Sequence, residues 1–301
     1  TLFLSMVARM RGEMQGLSNS IASLYENNLY IRQYFDFLDL PEIVKKSQNP
    51  IVFHKVQAPS ITFKNVSFTY PNGKEVLKNI SFEIPAGTSV ALVGKNGVGK
   101  STIIKLLCRF YDVTSGEILI NGVNIKDLDL ANWYKHIGLL SQQYTSYYLT
   151  VEENIKLGDI NKSDDALMRA VAQITGADSY IDKFPKKYQQ RLGLEFKNTE
   201  ELSVGQWQKL AMARTLYKQA QFLILDEPTS AIDAESEYNI FNKLKETEKG
   251  KTFLFVSHRF STVRNADTIL VLQDEQIIEQ GSHEELISQD GVYNHLFSLQ
   301  Q

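Results

Sequence analysis

The run S-V-A-L-V-G-K-N-G-V-G-K-S-T-I-I-K-L-L, from Ser89 to Leu107, constrains this chain more than any other stretch. An apolar segment of strand length enters a glycine-punctuated turn and then a segment with helical apolar spacing. Gly94, Gly97 and Gly99 let the backbone bend so that successive N–H groups converge, and the helix N-terminus adds partial positive charge. A polyphosphate is the ligand that needs all of this. The nine residues Gly94, Lys95, Asn96, Gly97, Val98, Gly99, Lys100, Ser101 and Thr102 therefore form the candidate nucleotide loop. The spacing G-x-x-x-x-G-K-S directs Lys100 to the β- and γ-phosphates and the Ser101 hydroxyl to Mg²⁺.

A second apolar strand, Q-F-L-I-L, ends on adjacent carboxylates at Asp226 and Glu227, before Pro228. In a parallel sheet that edge is where ligands bind. Asp226 is the candidate Mg²⁺ ligand, and Glu227 is the candidate group that orients or deprotonates the attacking water. A solvated acidic turn is the plain alternative, and the phosphate loop weighs against it.

Composition closes several other directions. The net charge of −3 on 301 residues removes the broad positive field of non-specific nucleic-acid binding, so nucleic acid is not an expected partner. The one cysteine, Cys108, cannot pair within the chain and sits in an apolar helical run, which points to a reducing compartment. No run approaches the roughly 20 apolar residues of a membrane-spanning helix. Asn65, Asn79 and Asn161 each open an N-x-S pattern that chance explains in a chain of this type. None of the five histidines has metal-ligand spacing.

Along the chain, Val7, Met10, Met14, Leu17, Ile21, Leu24, Ile31, Phe35 and Leu38 step by fours and threes or their multiples, a long amphipathic helix with a narrow seam. It should stop where Leu40 meets Pro41, because proline cannot donate the next hydrogen bond. A coiled coil, the cytoplasmic end of a membrane helix, or a simple packing helix all fit this pattern. After a polar linker at 45–50 a second domain begins near Ile51, with β-branched and aromatic runs at Ile61, Ile80, Ser89 and Glu117; helical patterns dominate from Ser163 to Lys218. Buried strand, helix and strand then alternate, an α/β architecture with a parallel sheet core and a helical insertion.

Four segments, L-S-V-G-Q at 202–206, the helix through A-M-A-R-T-L, L-I-L-D-E-P-T-S-A-I-D, and V-S-H-R, resemble the nucleotide-binding domain of ABC transporters over residues 55 to 300. The resemblance implies a P-loop NTPase of ABC type, with an antiparallel β subdomain and a helical subdomain (about 145–218) beside the parallel sheet, and ATP and Mg²⁺ as ligands. It implies a head-to-tail dimer in which Ser203, Val204, Gly205 and Gln206 hold the γ-phosphate of the partner's ATP. Val204 departs from the usual L-S-G-G-Q: valine supplies an N–H but not the positive φ of glycine. Tyr70 matches the aromatic that stacks on adenine. Gln142, with Gln143 beside it, matches the glutamine that touches Mg²⁺ and water. His258 matches the histidine that contacts the γ-phosphate, acting with Glu227 and Lys100, and Asp233 matches the loop that carries signals between the two ATP sites.

The long first helix is similar to the cytoplasmic end of the last membrane helix in exporters with fused domains. Residues 1–50 are then the end of a transmembrane domain and its linker, and 51–301 the ATP-binding domain, at the cytoplasmic face of the cell membrane. L-Y-E-N-N-L-Y-I-R-Q-Y-F-D-F-L and S-V-G-Q-W-Q look most like lantibiotic and other peptide exporters. A lipid or drug exporter, a soluble ABC switch in translation or DNA repair, and a nucleotide-binding scaffold without turnover are the competing readings.

Overall fold

The computed structural model describes residues 2–53, 57–194, 199–257 and 259–299 and divides into two compact units, Thr1–Lys45 and Lys46–Gln301. The first unit is dominated by helix α1, Leu2–Leu38, in which no residue is buried. It stops two residues short of the expected point. Asp39 N–H still reaches Phe35 O and Leu40 N–H reaches Phe37 O, and Pro41 has no N–H to continue. Met10, Met14, Leu17 and Ile21 along its seam are all exposed. Among the described residues no helix is long and apolar enough to cross a membrane.

The second unit begins with β1 (Ile61–Thr69), β2 (Glu75–Ile84), β3 (Ser89–Val93) and α2 (Lys100–Leu107), followed by β4 (Ser115–Ile120), β5 (Val123–Asn124), α3 (Leu130–His136) and β6 (Ile137–Leu140). Four helices come next: α4 (Val151–Lys156), α5 (Asp165–Thr175), α6 (Asp178–Ile181) and α7 (Val204–Tyr217). The chain then forms β7 (Phe222–Asp226), α8 (Ala234–Thr247), β8 (Thr252–Val256) and α9 (Phe260–Val263), and finally β9 (Thr268–Gln273), β10 (Gln276–Gly281), α10 (His283–Ser288) and α11 (Val292–Ser298).

Six strands form one sheet in the order β10-β9-β3-β8-β7-β6, parallel except for β10. β7 and β8 are buried at every position, as expected of strands covered on both faces. This order sets the C-terminal ends of β3 and β7 on either side of β8, so the loop after Val93 and the acids after Leu225 open on one edge. The remaining strands make an antiparallel sheet, β2-β1-β4-β5. Its inner residues Ile61, Phe63, Leu77 and Ile118 share a core with Ile103 and Leu107 of α2 and with Trp133. The Trp133 indole N–H satisfies the Leu107 carbonyl at 2.9 Å.

Asn65 and Asn79 have φ of 48° and 50° where the β1–β2 register shifts, and their backbone N–H groups donate to Ser81 Oγ and Ser67 Oγ. Asparagine tolerates that left-handed backbone better than most residues. This accounts physically for two of the three N-x-S patterns. Helices α4 to α7 bury a separate core, with Val171 and Ala172 of α5 and Ile181 of α6 against Leu210 and Ala211 of α7.

Candidate nucleotide site

A cavity of about 340 Å³ opens at the sheet edge. Loop residues Asn96, Gly97, Gly99, Lys100, Ser101 and Thr102 line one side of it. Tyr70, Gln142, Asp226 and Glu227 line the rest, together with Lys74, Val76 and Val256. Gly94, Lys95 and Val98 line a neighbouring cavity against Leu272 and Glu275 instead. Ser203, Val204, Gly205, Gln206 and Asp233 lie off the first cavity's wall. His258 is outside the described residues.

The loop's shape follows from Gly99, which has φ of 116°. A Cβ there would meet Leu77 Cδ2 at 2.9 Å and Val76 O at 3.0 Å, so no larger residue fits. Gly99 also caps α2 and brings no side chain to the helix amides. By contrast α3, α4, α5, α7, α8 and α10 all begin on an Asp, Thr or Ser whose side chain accepts from the first turn. A helix start lined with N–H donors and lacking a side-chain acceptor is suited to anionic oxygens. Lys100, almost fully buried, arches back to donate to Gly94 O at 2.6 Å and Lys95 O at 2.9 Å.

Two acids sit beside this cation. Burial, reinforced by the Glu227 carboxylate, pushes Asp226 up to about 6 against the opposing pull of Lys100. Burial also lowers Lys100 from its ordinary value, and both acids oppose that shift. A divalent cation at this spot would relieve the carboxylates, so the donor set of Ser101, Asp226 and Gln142 fits one chemically. Among the described residues no group of three or more His, Cys, Asp or Glu is placed to hold a metal. Such an ion would therefore take further oxygens from phosphate and water, which suits Mg²⁺.

Gln142 and Gln143, indistinguishable in sequence, separate here. Gln142 Nε2 donates to Glu227 Oε2 at 2.9 Å, whereas Gln143 offers its carbonyl to Ser141 Oγ. Tyr70 packs edge-on against Phe68 and Tyr111, and its hydroxyl lies 3.1 Å from Thr102 Oγ1. That contact fixes the ring at the cavity mouth.

Helix α7 opens with Ser203 as cap in a reciprocal box: Gln206 N–H donates to Ser203 Oγ, and the Gln206 side chain accepts from Ser203 N–H at 2.9 Å. The expectation that valine at 204 would be unable to supply a positive φ loses its force, because Val204 and Gly205 both avoid positive φ. Val204 is 67% exposed, while a Cβ on Gly205 would meet Ala231 O at 2.6 Å. The second glycine is thus required by close packing and the first is not. Asp233 caps α8 through Ser236 N–H, which lowers its carboxyl below the usual range.

Sequence reasoning does not single out three further groups. Gln208, on α7, donates through Nε2 to Glu227 O at 2.8 Å and to Ser230 Oγ, while its Oε1 accepts from Ala231 N–H. Glu237, 1% exposed, accepts from Thr229, Thr262 and Arg259, and Arg259 also donates to Ser230 O and Ile232 O. Arg214, near the far end of α7, donates to Thr145 O and to Asn154. Spacing alone marks none of these, since the partners of each are brought close only by the fold.

The phosphate loop, the acid pair and the capped signature helix coincide with a family match: residues 77–230 fit the model described as ABC transporter. The chain belongs to the ABC transporter family. It is an ABC-type ATPase, and ATP is its nucleotide. It is similar to the subtilin transport ATP-binding protein SpaT of Bacillus subtilis, 38% identical over 97% of this chain and 47% of that one. It is similar to the ATP-dependent lipid A-core flippase of Legionella pneumophila, 39% identical over 99% of this chain and 50% of the relative. A solved structure of a bacterial Atm1-family ABC exporter with ATP bound superposes with a TM-score of 0.85 at 34% identity, covering 92% of this chain and 48% of that one. The chain thus spans about half the length of these ABC transporter relatives.

Proposed function

We propose that this chain hydrolyses ATP to drive export of a substrate by a membrane domain on the same polypeptide, at the cytoplasmic face of the cell membrane. The carrying observation is that similarity to the exporters extends over 97% to 99% of the chain, through α1 as well as the ATPase. In this reading residues 1–50 are the end of the membrane domain and its linker, 51–301 the ATP-binding domain, and about 145–218 its helical subdomain.

Lys100 and the amides of residues 94–102 would hold the phosphates, Tyr70 the adenine, and Glu227 the attacking water, positioned by Gln142. Ser101, Asp226 and Gln142 would hold Mg²⁺, which supplies charge to the phosphate oxygens as phosphoryl transfer proceeds. His258 would contact the γ-phosphate, a role that rests on its place in V-S-H-R. A second copy would bring Ser203, Val204, Gly205 and Gln206 across the nucleotide, with Asp233 near the junction between sites.

Glu227→Gln should abolish phosphate release while retaining ATP-dependent dimers on size exclusion, and EDTA should stop the parent until Mg²⁺ is restored. Unchanged turnover in Glu227→Gln would sink the catalytic assignment. For the substrate we favour a peptide, supported by the subtilin transport relative; the lipid A-core flippases favour a lipid instead. ATPase stimulation of the membrane-reconstituted polypeptide by a lantibiotic-type peptide, set against stimulation by lipid A, separates them.

A further inference from the structure

Glu227 is held in an unusual backbone conformation, and one side chain outside the nucleotide cavity holds it there. Its φ is 50°, a left-handed value that a side chain larger than Asn adopts at a cost of about 1 kcal/mol or more. Its N–H is taken by Val256 O at 2.7 Å, at the end of the neighbouring strand. Its carbonyl accepts from Gln208 Nε2 at 2.8 Å. The carboxylate then meets Gln142.

Gln208 is 3% exposed, and its amide is bonded at both ends to the turn that follows Glu227. Nε2 reaches Glu227 O and Ser230 Oγ, and Oε1 receives Ala231 N–H at 3.0 Å. It projects from α7, the helix whose first turn carries Ser203, Val204 and Gly205, and Gly205 is packed against Ala231 of the same turn. The signature helix and the left-handed glutamate are therefore joined by one buried side chain and one glycine contact.

We propose that Gln208 is a positioning residue for hydrolysis: it locks the left-handed turn at Glu227, so that the carboxylate takes its angle toward the γ-phosphate only when α7 is in register. The inference rests on the reading of Glu227 as the group that orients water. Without the amide, the turn relaxes toward ordinary φ and the carboxylate swings, while the phosphate loop, which Gln208 does not touch, keeps its grip on the nucleotide. Misplacement on the order of 1 Å at a reacting group lowers turnover by as much as a hundredfold.

The test is steady-state ATPase kinetics of purified Gln208→Met, close to glutamine in size but without its hydrogen bonds, beside the parent and Glu227→Gln. A fall in kcat of roughly tenfold to a hundredfold, with KM and equilibrium ATP affinity within about twofold, is the expected result. An unchanged kcat in folded Gln208→Met, with Glu227→Gln inactive, overturns the positioning role alone. Proportional losses in kcat and ATP affinity overturn it too, since they report general loosening. An active Glu227→Gln removes the catalytic reading and this inference together. If Gln208→Met does not fold, Gln208→Asn, which retracts the amide by one methylene, is read by the same kcat and KM criteria.

Discussion

The Tyr144 hydroxyl donates to the Val204 carbonyl at 3.0 Å, which ties the loop after Gln142 to the first turn of α7. Arg214, ten residues further along α7, holds the same loop by donating to Thr145 O at 3.1 Å. Tyr144→Phe removes one hydrogen bond and keeps the ring. A loss of about 1 kcal/mol is expected, or a melting point lower by about 2–4 °C, and differential scanning calorimetry measures it.

Val204 and Gly205 should respond in opposite ways. Val204→Gly alters an exposed side chain at a position with helical backbone, so unfolding free energy should move by less than about 0.5 kcal/mol. Gly205→Ala forces a methyl against Ala231 O and should cost about 1–3 kcal/mol. Urea titrations of both variants check the contrast, and equal effects would contradict the close-packing account.

Glu237 is a buried carboxylate whose partners include Arg259, Thr229 and Thr262. Glu237→Ala strands these donors and frees the loop carbonyls of Ser230 and Ile232 from the shared anchor. A destabilisation of about 3 kcal/mol is expected, toward the lower end because Arg259 is partly exposed. Chemical denaturation gives the magnitude, and limited proteolysis should show earlier cleavage near Ser230.

Asp226 supplies a pH signature. Its carboxyl is raised to about 6 in the fold by burial and by Glu227, with Lys100 opposing, so the folded chain binds this proton more tightly than the unfolded one. That contribution to stability is present at acid pH and is lost as pH rises through about 6. Asp226→Asn should therefore melt higher than the parent at about pH 7.5 and match it near pH 4. Thermal melts of nucleotide-free and chelator-treated protein at both values test the sign.

Much of this site is legible in the sequence because it is local. The glycine loop and the D-E pair announce themselves through strand, turn and helix signals within a few residues, and the fold puts Asn96, Gly97, Gly99, Lys100, Ser101, Thr102, Asp226 and Glu227 around one cavity. What is not legible depends on distant backbone. Gln208 reads as one more glutamine in a helix until the turn at Ala231 comes to meet it. Glu237 reads as a solvent-facing acid in A-E-S-E-Y, yet it is almost fully buried. Strand β6 escapes pattern reading because Ile137 follows His136 of α3 directly, with no turn residue to punctuate them. Val204 shows the reverse error, where a motif departure suggests a conformational cost that the backbone does not incur.

Helix α7 has three bearings along its length: Tyr144 at Val204, Gln208 at the Glu227 turn, and Arg214 at Thr145. Its 14 residues make a rod of about 21 Å. A stiff rod seated at both ends and the middle transmits displacement rather than absorbing it. Any tilt imposed at its first turn must reappear at the glutamate turn and in the loop beside Gln142, which makes the helix a lever with a fixed gear ratio.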